Sequence, residues 1–377
     1  MVIAGEPSGD LHASQLMKAL SDQVPDVEFA FLGGDLMAKA TGSEPIIHYR
    51  DMAFMGFVDV FKNLRKIFSN LATARKALAD EKPDALILVD YPSFNLKVAK
   101  TAKQLGIPCY WYISPKLWAW KAWRVKAIKK FISKVLCIFP FEPKWYADHD
   151  YYKAEYVGNP TLEELRHAIA VAPSREEFLA EHKLRDRPII ALLPGSRKGE
   201  IKDNLKVMNE SARQFPQYTI VVAGAPGIPD EFYSGLTKFA VVRNATHSLL
   251  AHSHAALVTS GTATLEAAVA RVPQVVLYRS NGSRFAYEAM KRVLNVKYVS
   301  LPNLVASRQI VPELLLHFCT PEAVAEQLRQ LTPPSSEARR AMLDGYDEVN
   351  RILEPEGMEA PSKQAARAII TALEKGE

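Results

Sequence analysis

The residues with the clearest chemical potential are Leu257-Val258-Thr259-Ser260-Gly261-Thr262-Ala263-Thr264-Leu265-Glu266. An apolar strand there runs into a turn of small hydroxyl and glycine residues, and a helix starts at once. Free N–H groups and the positive end of the helix dipole point out of such a turn. Gly261 allows close backbone approach, and Ser260, Thr262 and Thr264 add hydroxyl donors, so the segment has the makings of a diphosphate cradle. Glu266 follows about one turn into the helix, where a carboxylate can accept hydrogen bonds from ribose hydroxyls. The same residues also suit an ordinary N-cap with a capping-box-like partner.

Three further strand ends carry polar chemistry. Leu193-Pro194-Gly195-Ser196-Arg197 repeats the logic of the first turn and adds Arg197, a strong anion ligand, although a capped loop with an exposed arginine has the same pattern. Gly5-Glu6-Pro7-Ser8-Gly9-Asp10 is the first turn of the chain. It is not GxGxxG and lacks a paired ribose-binding acid on the next strand, which disfavours a dinucleotide site. Its glycines leave room for something to lie against the backbone, and Asp10 alternatively caps the following helix. Leu88-Val89-Asp90-Tyr91-Pro92 ends an apolar strand in a carboxylate. A base that deprotonates an acceptor hydroxyl belongs at such an edge, and so does a simple N-cap.

Two stretches combine aromatic and basic residues. Residues 54, 57, 58, 61, 64, 67 and 68 form an apolar helical stripe rich in Phe and Met, flanked by Lys62, Arg65 and Lys66. The stripe fits a core-facing helix or an acyl-chain and membrane contact through Phe54, Met55, Phe57, Val58 and Phe61. From Tyr91 to Phe141 there is no Asp or Glu against ten Lys and Arg, and the five tryptophans, 111, 118, 120, 123 and 145, lie in or beside this stretch. A field of one sign attracts anions, and Trp beside Lys or Arg suits a membrane interface. An anionic lipid or phosphate surface competes here with a solvated basic helix over a Trp-rich core. No nucleic-acid motif accompanies the charge, so nucleic acid is not an expected partner. His247, His252 and His254 share a helix face poorly and have no acidic partner nearby in sequence, so no metal site is expected. Neither GxSxG nor a Walker A pattern occurs.

Strand–helix alternation must position these turns. Short apolar runs at 2–5, 29–33, 85–90, 109–113, 135–139 and 154–157, then at 189–194, 218–223, 240–242, 255–259 and 274–277, alternate with helical spacing such as 93–105 and 203–215. That pattern argues parallel sheets with crossover helices, covered on both faces. Polar residues 161–187 separate two such series and suggest an interdomain linker. The expected organisation is α/β, with two Rossmann-like, doubly wound domains facing a cleft. The first spans 1–170, joined by a helical tail at 345–377, and the second spans 171–344. Open sheets of this kind bind ligands beyond the carboxyl ends of their strands.

The 377 residues, 48% hydrophobic and 24% charged with a formal net charge of +5, have the composition of a folded globular protein. Three dispersed cysteines, with no CxxC, argue against a disulfide framework or thiolate zinc site and favour a reducing compartment. The opening residues carry no signal-peptide pattern, and no run of about 18 apolar residues exists to span a membrane.

In order along nearly the whole chain, Gly5 to Asp10 with Leu11-His12, Met55-Gly56, Asp90-Tyr91-Pro92, Ser114-Pro115-Lys116-Leu117-Trp118-Ala119-Trp120, Phe139-Pro140-Phe141-Glu142, Leu193 to Arg197, Ser260 to Glu266, and Ser300-Leu301-Pro302-Asn303 resemble the lipid-A-disaccharide synthase family. The tryptophan and Leu-Pro-Asn motifs are not general glycosyltransferase features. The resemblance implies a GT-B fold and an inverting glycosyltransferase that needs no metal or other cofactor. The donor would be UDP-diacylglucosamine and the acceptor diacylglucosamine 1-phosphate. A β-1,6-linked disaccharide and UDP would be the products.

Carried over by position, Asp90 is the candidate general base, and Ser8, Gly9 and Asp10 form an acceptor-side turn. Arg197, Ser260, Gly261, Thr262, Glu266 and Asn303 form the donor site. Phe54, Met55, Phe57, Val58, Phe61, Trp118, Trp120 and Trp123 face acyl chains or membrane. The resemblance further implies a cytoplasmic enzyme peripheral on the anionic inner membrane and a homodimer through its C-terminal region. Asn159 stands where some members carry histidine, and no role is assigned to it. The competing readings are another GT-B-type UDP-GlcNAc enzyme, such as a 2-epimerase or soluble-sugar transferase, and a non-catalytic peripheral lipid-binding protein.

Overall fold

The computed structural model describes residues 1–52, 64–119, 121–279 and 297–376. The chain divides into two compact units, Met1–Pro160 with Glu356–Glu377, and Thr161–Pro355. In the first unit the strands are β1 (Val2–Ala4), β2 (Phe31–Gly33), β3 (Ile47–His48), β4 (Leu86–Val89), β5 (Cys109–Tyr112), β6 (Lys134–Cys137) and β7 (Ala154–Tyr156). Among the described residues they form one seven-stranded parallel sheet in the order β3-β2-β1-β4-β5-β6-β7. In the second unit β8 (Ile189–Leu193), β9 (Thr219–Gly224), β10 (Ala240–Arg243), β11 (Ser253–Thr259), β12 (Gln274–Tyr278) and β13 (Glu313–Leu315) form a six-stranded parallel sheet ordered β10-β9-β8-β11-β12-β13.

Both orders reverse direction once, between β1 and β4 in the first sheet and between β8 and β11 in the second. A doubly wound sheet opens its ligand crevice at that switch point. The central strands are buried on both faces: Val2–Ala4, Leu86–Val89, Cys109–Tyr112 and Ile189–Leu193 have no exposed residue. This is why they read as unbroken apolar runs rather than alternating ones.

Two of the four edge strands, β3 and β13, escape a reading based on apolar runs. β3 has two residues and β13 three, all only half-buried, and parallel pairing to a preformed neighbour is what makes them strands. The polar stretch after Pro160 is ordered too. It forms helices Pro160–Ala170 and Arg175–Glu181, the latter with a Ser174/Glu177 capping box. Phe178 is fully buried with Ile189, Leu193 and Val258 in the second core.

Helix Glu337–Leu353 also belongs to the second unit. Its Met342, Tyr346, Val349 and Leu353 are buried. The Tyr346 hydroxyl donates to the Val272 carbonyl at 3.1 Å and accepts from the Gln274 amide at 3.1 Å. The chain then returns to the first unit, where helix Pro361–Glu374 packs against helix Pro7–Gln23 and the Gln23 amide donates to the Lys363 carbonyl. Among the described residues no helix is long and apolar enough to cross a membrane.

Candidate active site

In the second unit Val258 pairs with Leu193. The turns that follow β11 and β8 therefore stand side by side at the switch point. They line one pocket of about 350 Å³ containing Gly195, Ser196, Arg197, Ser260, Gly261, Thr262 and Glu266, with Glu200 and Thr246 beside them. Gly195 adopts φ +111°, and a Cβ there would overlap the Glu200 side chain, its Cδ only 2.6 Å away. Glu200 lies close because its carboxylate accepts the Ser196 N–H at 3.0 Å. Asn204, fully buried, ties this turn to the end of β12: its amide donates to the Pro194 carbonyl at 3.4 Å and its oxygen accepts the Arg279 N–H at 2.7 Å.

The Ser260 hydroxyl donates to the Val299 carbonyl at 3.0 Å, and that of Thr264 to the Gly261 carbonyl at 2.7 Å, so both brace the turn. Thr259, 3% exposed, lines the pocket with a hydroxyl that has no hydrogen-bond partner among the described residues. Burial pushes the Glu266 carboxyl up, and His247, 3.7 Å away, pulls it down.

Asn303 lies elsewhere. It is fully buried, donating to the Val311 carbonyl and the Glu313 carboxylate and accepting the N–H groups of Ile310 and Val311. Glu313 in turn accepts the Ser300 hydroxyl and the Ser300 N–H. The Ser-Leu-Pro-Asn motif is thus a knot that ties helix Leu301–Ala306 to β13.

In the first unit Ala4 pairs with Val89, and the turns after β1 and β4 again stand together. A Cβ on Gly5 would lie 2.8 Å from Tyr91 Cδ2 and nearer still to Cγ, so only glycine lets these turns close on each other. Asp90 and Tyr91 both take left-handed backbone conformations, φ +44° and +48°. Such conformations are costly for residues with side chains and cluster at functional sites. They are held by the Asn95 amide, which donates to the Asp90 carbonyl at 2.7 Å, and by the Tyr91 hydroxyl, which donates to the Met52 carbonyl at 2.7 Å. Burial raises the Asp90 pKa, opposed by the Lys116 ammonium, the Tyr91 N–H and His12. A half-buried carboxylate at the carboxyl edge of a strand, raised in this way with a cation at hand, has the chemistry of a candidate general base. Glu6 is raised as well, by burial and then by the Asp90 charge.

Ser8 is exposed, Gly9 packs its backbone near Ala4, and Asp10 is buried at 2%. The Asp10 carboxylate accepts the N–H groups of Gly34, Leu36 and Met37 at 2.7, 3.0 and 3.2 Å. It therefore caps the helix after β2 (Asp35–Thr41) rather than its own.

The Trp118 indole donates to Glu142 at 3.0 Å, and the other oxygen of Glu142 accepts the Ile138 and Phe139 N–H groups. Burial pushes the Glu142 carboxyl up to about 7 against these donors and Lys116. Trp118 is thus pinned edge-on to Phe139 and Phe141. Trp123, in contrast, is 67% exposed. Phe54, Met55, Phe57, Val58, Phe61 and Trp120 lie outside the described residues.

Among the described residues no group of three or more His, Cys, Asp or Glu stands together as a metal site. His252 and His254 are engaged separately, with the Pro173 and Thr332 carbonyls. Sequence reasoning assigned no site role to Glu6, Lys116, Glu200 or His247, although Glu6 and Lys116 lie in its motifs and His247 in the histidine cluster set aside as a metal site. Glu200 also left a signal, three residues into the helix after Arg197, where a capping-box acid belongs.

Two Rossmann-like parallel sheets, each with polar turns at its switch point, define the GT-B fold. The fold likeness is broad. A UDP-GlcNAc 2-epimerase from Neisseria meningitidis bound to UDP-GlcNAc matches with TM-score 0.62 at 13% identity over 99% of both chains. UGT2 from Phytolacca americana, complexed with UDP-2-fluoro-glucose and pterostilbene, matches with TM-score 0.55 at 14% identity, again over 99% of both chains. Sequence narrows this. The lipid-A-disaccharide synthetase family model matches residues 1–369. The lipid-A-disaccharide synthase of Myxococcus xanthus is 39% identical over 386 aligned positions, covering 100% of this chain and 98% of that one. The chain belongs to the lipid-A-disaccharide synthetase family. Its likeness to the epimerases is one of fold alone.

Proposed function

We propose that this glycosyltransferase moves a 2,3-diacylglucosamine unit from its UDP conjugate to the 6-hydroxyl of 2,3-diacylglucosamine 1-phosphate, with inversion, giving the β-1,6-linked disaccharide 1-phosphate and UDP. The observation that carries the reading is the pocket at the second switch point, where Arg197, the Ser260-Gly261-Thr262 turn and Glu266 converge. Arg197 and the turn receive the diphosphate, and Glu266 receives the ribose. Asp90 takes the proton of the 6-hydroxyl. The oxygen bonds to the anomeric carbon as the bond to UDP breaks, and the leaving diphosphate keeps the electron pair. Its charge is met by fixed donors and a guanidinium, so the chemistry asks for no metal.

The first unit meets the lipid. Phe68 is 59% exposed with the Lys97 ammonium 5.6 Å from its ring centre, and Trp123 is exposed with the Arg124 guanidinium at 5.6 Å. Exposed aromatics beside cations, Trp123 and Arg124 within the acid-free stretch from Tyr91 to Phe141, support a peripheral position on the anionic cytoplasmic face of the inner membrane. A homodimer through the C-terminal region follows from the family resemblance.

The test is to incubate purified protein with both lipids, with and without EDTA, and to look for the disaccharide by mass spectrometry. Equal yields in both arms are expected. No product overturns the reaction, and product lost with EDTA overturns its metal independence.

A further inference from the structure

His247 has no acidic neighbour in sequence, yet in the fold it stands beside the carboxylate of the donor pocket. It belongs to helix Thr246–Ala251, which follows β10, whereas Glu266 belongs to helix Ala263–Val269, which follows β11. The sheet order β10-β9-β8-β11 separates these two strands, so the meeting of their helices is a property of the fold. His247 Nε2 is 3.7 Å from Glu266 Oε2. The imidazole is the open member of the pair, 44% exposed against 24% for the carboxylate. Thr246, the residue before it, lines the same pocket.

We propose that His247 is a positioning residue of the donor site, holding the Glu266 carboxylate ionised and turned to accept the vicinal hydroxyls of a ribose. A carboxylate taken largely out of water is costly unless a partner compensates it. The other charged side chains lining the pocket have different tasks. Glu200 already accepts the Ser196 N–H, and a like charge cannot steady Glu266. Arg197 stands at the N-cap position of helix Lys198–Ala212, with no side-chain capping bond, on the strand-β8 side of the pocket, where the proposed function places the diphosphate. Histidine at this distance supplies an opposite charge when protonated. The pair therefore reads the sugar of the nucleotide, not its phosphates or base.

The inference rests on the nucleotide assignment above, and its test separates the two. UDP and 2′,3′-dideoxy-UDP are titrated calorimetrically into wild type, His247→Ala, Glu266→Gln and the double variant, with thermal unfolding of each as the folding control. His247→Ala is expected to weaken UDP about three- to fivefold, the range of a partly exposed ion pair, and to leave dideoxy-UDP binding unchanged. The double variant is expected to bind UDP no worse than Glu266→Gln, because His247 acts through the carboxylate. In turnover, His247→Ala should raise the donor KM by the same factor and leave kcat alone. An equal loss for both nucleotides, or no loss for either, overturns the proposal while the nucleotide site stands. A wild-type protein that does not bind UDP overturns both.

Discussion

The turn after β8 makes a quantitative demand on Gly195. At φ +111° an alanine is strained whatever surrounds it, and its Cβ would also overlap Glu200. The backbone strain alone costs on the order of 1–3 kcal/mol. Displacing Glu200 removes its hydrogen bond to the Ser196 N–H, a further loss of about 1 kcal/mol for a charge-assisted bond at a half-open site. Gly195→Ala should therefore destabilise the second unit by about 2–4 kcal/mol. At about 2–4 °C per kcal/mol for a unit of roughly two hundred residues, thermal unfolding should fall by some 4–16 °C. Relief of the strain by backbone movement shifts the Ser196 N–H and Arg197, so UDP affinity should drop at least about tenfold.

Glu200→Ala separates the two terms. It loses the hydrogen bond without introducing backbone strain, and Gly195→Ala in that background should cost less than in wild type because the overlap is gone. Differential scanning fluorimetry and UDP titration read both quantities. A Gly195→Ala protein with wild-type stability and UDP affinity would refute the claim that this turn is built around a glycine.

Three other outcomes follow from particular contacts. Lys116 opposes the burial that raises Asp90, so Lys116→Met should push the carboxyl higher still. The acid limb of kcat/KM then moves to higher pH, and a pH–rate profile showing no shift, or a downward one, would contradict the assigned polarity. Asp10→Ala strands three backbone N–H groups and should cost about 2–4 kcal/mol of stability while UDP affinity stays unchanged. Thermal unfolding and UDP titration check it together. Asn303→Ala opens the knot at Glu313 and Val311 and should destabilise on the order of 3 kcal/mol. A thermal midpoint within 2–3 °C of wild type, roughly a single kcal/mol for a unit this size, would contradict it.

How legible these features were in sequence depended on range. Strands such as Leu86–Val89 and Ile189–Leu193 announce themselves because burial on both faces leaves only apolar residues. The turns after β8 and β11 do so because small residues and glycine must follow a strand that delivers its backbone to a ligand. β3 and β13 were silent, since their strand character comes from a neighbour and not from their own side chains.

The site's electrostatic detail was silent for the same reason. Lys116 bears on Asp90, and His247 on Glu266, only through the sheet order. Asp10 and Asn303 illustrate a different limit. A polar side chain in a turn motif looks the same in sequence whether it is offered to a ligand or used, as both are here, to satisfy buried backbone groups. Trp118 and Trp123 sit in one aromatic-basic stretch, yet one is fastened to Glu142 and the other stands open to solvent.

The most direct test of the account is the turnover of Asp90→Ala in a protein shown to be folded and to bind UDP as wild type does. Removing a general base should lower the rate of disaccharide formation by about 10²- to 10⁴-fold with UDP affinity intact. Near-normal turnover in that variant would contradict the assignment of Asp90 as the base that activates the acceptor hydroxyl.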